Sequence, residues 1–121
     1  MQAKDLIVTG DGRIIGNLYA NTITASGRIQ ASSYNATSDA RLKENFVEYK
    51  SDKSILDLPV YTFDFINGAK NQLGCKAQDL QEICPELVTE NEDGYLVIQE
   101  SKLVYLLLVE IKKLRQELNN K

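Results

Sequence analysis

Histidine is missing from the 121 residues altogether, and with it go Ser-His-Asp and Cys-His catalysis. Any nucleophile in this chain must find another base. Cysteine is scarce: Cys75 and Cys84 are the only two. Two thiols without a histidine make a zinc site improbable, and in a chain that is 43% hydrophobic they read as small buried apolar residues rather than as a disulfide. A basic excess is also lacking. With a net charge of -3 and a pI near 5.0, the chain has no phosphate-backbone footprint, which argues against nucleic acid as a partner. Long apolar runs are absent too. The longest, Leu103 to Val109, is far below the roughly 20 residues that cross a bilayer, and Met1 to Asp5 lack the apolar stretch of a signal peptide. The expectation is a soluble protein of one folded unit plus a small extension, with no metal and no cofactor.

What is present begins with a repeat. Residues 8–19, VTGDGRIIGNLY, align with residues 23–34, ITASGRIQASSY, at an offset of 15 residues. Thr9/Thr24, Gly12/Gly27, Arg13/Arg28, Ile14/Ile29 and Tyr19/Tyr34 are identical pairs. Short β-branched runs around a glycine turn predict strand, turn, strand in each unit. A single unit has no face to hide, so such units need stacking or other chains to complete a core. Residues 1–37 therefore read as the end of a longer β-rich shaft. An ordinary hairpin pair packed on the following domain is the alternative.

Past Tyr34 the texture becomes polar and rich in cap-forming residues, which marks a hand-over. Beyond it, Asp52–Leu58 fits a short helix stopped by Pro59, Val60–Ile66 alternates like a strand, and Gln72–Ala77 is a weaker strand. Gln78–Cys84 reads as a helical turn ended by Pro85. Leu87–Thr89 and Tyr95–Gln99 flank a hairpin turn at Glu90–Gly94. The expected class is α+β: a β-rich shaft segment, then a small mixed module over 38–121.

A closing helix over about 101–119 carries Val104, Leu107, Ile111, Leu114 and Leu118 at 3, 4, 3, 4 spacing, an a/d seam. In that register Glu110 and Arg115 hold the g and e positions of an interchain ion pair. The seam predicts self-association. Leu103, Leu106 and Leu108 widen the apolar face and keep open packing on the chain's own domain, with the first half turned inward and the second half paired with neighbours.

Ser38, Asp39 and Lys43 stand at the boundary between shaft and module. If a helix begins at Asp39, Lys43 lies four residues on along the same face and folds back toward Ser38. A lysine activates a serine only when it offers a neutral amine. Spacing alone favours the plainer roles, Ser38 as a helix N-cap and Lys43 as a solvated charge.

The segment Ser38-Asp39-Ala40-Arg41-Leu42-Lys43-Glu44-Asn45 resembles the opening signature of the endosialidase-type intramolecular chaperone domain, found at the C-terminus of phage tail spikes, tail fibres and neck appendages. Tyr61-x-Phe63, Gly74-x-x-Ala77-Gln78-Asp79 and Pro85-Glu86-Leu87-Val88 follow in the family's order, and Leu114 and Leu118 fall in its closing helix. The resemblance spans about 38–118. Lys76, where the family is usually apolar, and Glu100, where tyrosine is common, depart from the pattern, and Asp79 replaces a glutamate. Asp79 reads as a stabiliser of a helix N-terminus.

The resemblance implies a homotrimer with a trimeric coiled coil. It implies a domain that guides folding of its own N-terminal shaft and then frees itself by cutting Thr37-Ser38, with Ser38 as nucleophile, Lys43 as base and Asp39 as possible support. The shaft would belong to a virion tail or appendage, and the released fragment to the host cytoplasm. Two other readings stand beside this one: a trimerisation cap that does not cut, and a receptor-binding fibre tip. The tip reading is disfavoured because Tyr61, Phe63 and Phe65 look like strand core.

Overall fold

The computed structural model describes residues 4–121, which form two compact units divided between Asn45 and Phe46. In the first unit the only regular element among the described residues is a 3-10 turn, Ala40–Leu42. The expected strands of the two repeats do not form here. No backbone-to-backbone hydrogen bond occurs among the described residues ahead of Asp39, and Val8, Ile14, Tyr19, Ile23, Ile29 and Tyr34 are all exposed. The reason is physical: a strand is defined by its ladder, and two such short units have no buried face to hold their runs together.

The second unit is a small mixed α/β module with short strands and a long terminal helix. Strand β1 (Tyr61–Phe63) pairs antiparallel with β2 (Gln72–Gly74), placing Thr62 opposite Leu73. The connection is held by Asp64, whose carboxylate accepts from the Asn71 amide at 2.8 Å, and by Phe65 N–H donating to the Ala69 carbonyl at 2.8 Å. Asn67 and Asn71 take φ of 57° and 56° there, a left-handed conformation that asparagine tolerates. Phe63 and Phe65 meet edge-to-face with centroids 5.1 Å apart, yet Phe65 is 55% exposed and Tyr61 39%. Of the three aromatic residues expected as strand core, Phe63 is half-buried, and Tyr61 and Phe65 lie on the surface of the single chain. Lys76, the charge at a position expected to be apolar, sets its ammonium 4.9 Å from the Tyr61 ring centre, a cation–π contact that accommodates it.

Helix α1 (Ala77–Ile83) begins without a side-chain cap and carries Asp79 in its first turn, where a carboxylate favours the positive end of the helix. The Oδ2 atom of Asp79 is buried with no hydrogen-bond partner among the described residues. Pro85 lacks the N–H that another helical turn would need, so the chain passes at Cys84 into a 3-10 turn, Pro85–Leu87. Strands β3 (Val88–Glu90) and β4 (Leu96–Ile98) then pair antiparallel. Their loop is closed by the Asn91 side chain, which accepts from the Asp93 and Tyr95 amides at 3.0 Å each, and by Gly94 at φ 85°, where a Cβ would be strained.

Helix α2 (Leu103–Asn119) follows a 3-10 turn at Glu100–Lys102. The core gathers Ile55, Leu80, Cys84, Leu87, Val88 and Leu106, with Leu80 fully buried. Ile55 enters from a 3-10 turn, Ile55–Asp57, capped by the Ser54 hydroxyl; this is the reduced form of the helix expected over Asp52–Leu58. Leu103, Leu106 and Glu110 form the inward face of α2. Glu110 is buried and pairs with Lys113 at 3.6 Å, and Lys113 reaches the Ser51 carbonyl at 3.4 Å. Glu110 is therefore committed within its own chain, which corrects its expected place in an interchain pair with Arg115. No helix among the described residues is long and apolar enough to cross a membrane.

The inward contacts of α2 are confined to its first half, as expected: Leu103, Leu106, Val109 and Glu110 are buried or half-buried, and every residue from Ile111 on is exposed. Val104, Leu107, Ile111, Leu114 and Leu118 are 46–68% exposed, while Leu106 is buried one position away. The module already fills its own core, so an apolar row is left bare along the whole helix.

Candidate functional site

The boundary segment is built around Asp39. Its backbone is extended, and its Oδ1 accepts from the Arg41 amide at 2.9 Å, which makes Asp39 the N-cap of the Ala40–Leu42 turn. Two backbone bonds close that turn, Leu42 N–H to the Asp39 carbonyl and Lys43 N–H to the Ala40 carbonyl, each 3.1 Å. The Arg41 guanidinium then grips the same carboxylate. Its Nη2 donates to Oδ2 at 2.8 Å, and its Nε lies 3.1 Å from Oδ1. Hydrogen bonds from the Arg41 side chain and backbone hold the Asp39 carboxyl below the usual range, and the same pairing raises the guanidinium of Arg41.

Two expectations change here. Ser38 is not the cap, because Asp39 fills that role. The helix expected from Asp39 is a single 3-10 turn, and Lys43 leaves it with extended backbone at φ -126°. The two residues flank the turn and their side chains meet across it: Lys43 Nζ donates to Ser38 Oγ at 2.6 Å. Both side chains are exposed, as is Thr37. Sequence reasoning passed over Arg41. The signal was an acidic cap residue followed two positions later by the cation that can fork onto it.

An ammonium has three donors and no acceptor, so a charged Lys43 can only donate to Ser38 Oγ. With the amine neutral, the same 2.6 Å contact can reverse, Oγ–H donating to Nζ, and that is the geometry of a general base on its nucleophile.

In the second unit a cleft of about 510 Å³ is lined by Val47, Tyr49, Cys84, Leu87, Tyr105 and Leu106 among others. Its thiol, Cys84 Sγ, donates to Glu86 Oε2 at 3.0 Å. Burial, and next that bond to Glu86, push the Cys84 thiol up. Burial likewise raises Cys75, with the Glu100 and Asp79 charges adding to it. Both cysteines are free. Thiols held protonated are poor nucleophiles, which leaves the boundary pair as the reactive candidate.

A family model described as the chaperone of endosialidase matches residues 38–89 and thus opens on Ser38. The match ends within β3, so the closing helix lies outside it. No curated protein and no solved structure matches the chain. Over residues 38–89 the chain is similar to the chaperone of endosialidase family, whose model bears a peptidase name, and the match supports the resemblance carried by the Ser38–Asn45 segment.

Proposed function

We propose that this chain is an intramolecular chaperone that trimerises, guides folding of the β-rich shaft ahead of it, and then releases itself by cutting Thr37-Ser38. The observation that carries the reading is the 2.6 Å contact between Lys43 Nζ and Ser38 Oγ at the first residue of the family match. Neutral Lys43 takes the hydroxyl proton of Ser38 as Oγ attacks the Thr37 carbonyl carbon. The tetrahedral adduct collapses with rupture of the C–N bond, and the nitrogen leaving group receives the proton back from Lys43. Thr37 is then an ester on Ser38 Oγ. Water hydrolyses that ester, giving a Thr37 carboxylate and a fragment that begins at Ser38 with its hydroxyl restored. Nucleophile and carbonyl are neighbours in one chain, so no diffusing substrate is needed. Burial favours the neutral form of a lysine, so a pair on an open surface is quiet until assembly covers it.

The exposed row of α2, from Val104 to Leu118, supports the trimer and its coiled coil. It equally favours a second reading, a trimerisation cap that does not cut, because it demands association whether or not the bond breaks. The shaft would remain with a virion tail or appendage, and the fragment would be released in the host cytoplasm. The test is cleavage itself, followed by mass in the wild type, Ser38→Ala and Lys43→Ala. The reading expects a fragment beginning at Ser38 in the wild type alone. An intact wild-type trimer supports the cap.

A further inference from the structure

A serine and a lysine five positions apart are not ordinarily in contact. Both side chains are exposed, and an exposed lysine loses rotamer entropy by settling on one partner. Something local must bring them together, and the residues between them do so. The Asp39 carboxylate fixes the entry to the turn by capping the Arg41 amide at 2.9 Å, and the Arg41 guanidinium closes on both carboxylate oxygens, at 2.8 Å through Nη2 and 3.1 Å through Nε. Such a fork sets orientation as well as distance. The turn so held ends in the Lys43 N–H bond to the Ala40 carbonyl, which starts the lysine on the side of the turn where Ser38 stands.

We propose that Asp39 and Arg41 form a clamp that positions Lys43 on Ser38, with Arg41 a positioning residue acting through the turn; this rests on the reading of Ser38 and Lys43 as the cutting pair. The side chains have separable parts. Asp39→Asn keeps an acceptor for the Arg41 amide and loses the ion pair, whereas Asp39→Ala loses both. Arg41→Lys keeps the charge and loses the fork.

Self-cleavage rates of the full chain test the ranking. Loss of a cap and its ion pair corresponds to a rate roughly five- to tenfold lower, so Arg41→Ala and Asp39→Ala should be slowed by about that factor, with Arg41→Lys and Asp39→Asn between them and the wild type. Arg41→Lys carries the comparison if Arg41→Ala fails to assemble. Equal rates in all four variants and the wild type would overturn the clamp.

A second measurement is independent of cutting. In the Ser38→Cys chain the thiol at position 38 faces the Lys43 ammonium, which should lower the pH midpoint of its alkylation by iodoacetamide. Adding Arg41→Ala should return that midpoint upward by about half a unit or more, and adding Arg41→Lys by less. An unchanged midpoint sinks the clamp, even if the wild-type chain proves not to cut. A moved midpoint in a chain that does not cut sustains the clamp and removes the chaperone-protease reading alone.

Discussion

Asp39 and Ser38 are neighbours with different tasks. Because the aspartate caps the turn, the serine hydroxyl is left free for Lys43 at 2.6 Å. Spacing could not separate these roles, since serine and aspartate are near-equal caps; the choice depends on which backbone amide each can reach. Cys84 shows the opposite case, a thiol whose reactivity the fold suppresses. Its folded value is raised by burial and by the bond to Glu86, so the thiol form is favoured in the native state. The sign follows: the contribution is complete below the ordinary thiol value of about 8.5 and is lost as pH rises through the raised one. The melting temperature should therefore fall between pH 8 and 10 more steeply in the wild type than in Cys84→Ala, as followed by circular dichroism. Parallel curves would show that Cys84 does not contribute.

At the scale of elements, helix α2 has an inward face in its first half and a bare apolar row along its length, and substitutions on them should behave differently. Leu107→Asp or Ile111→Asp falls on the exposed row and should shift the monomer's stability by no more than about 0.5 kcal/mol while abolishing association in sedimentation equilibrium. Leu106→Asp, one position from Leu107, places a charge in the core and should prevent the module from folding. Leu80→Ala, at the only side chain that is fully buried among the described residues, should cost about 2–5 kcal/mol in denaturant unfolding. Much of this was legible in the sequence. Pro85 marked the end of α1, Asn91 and Gly94 the tight turn, and the 3, 4, 3, 4 spacing the bare row. Glu110 was not, because periodicity gives a residue's angle around the helix and not which side the module covers. Tyr61 and Phe65 were misread for a related reason: alternation says that a face is apolar, not that this chain supplies its cover.

The whole molecule joins a unit whose described residues expose their apolar side chains to one with a core of its own. The 15-residue repeat predicted strands, and the isolated chain has no ladder there; the proposed trimer would supply the partners. Hydrogen exchange should thus find amides in residues 8–34 protected in the wild-type trimer and unprotected in monomeric Ile111→Asp. Protection in the monomer would place the shaft's partners within one chain. The bond ahead of Ser38 is read by mass spectrometry with N-terminal sequencing of the purified wild-type protein beside Ser38→Ala. Self-cleavage by Ser38 gives a wild-type fragment whose first residue is Ser38 and an uncut Ser38→Ala chain; an intact wild-type trimer, or a cut that persists in Ser38→Ala, would rule it out.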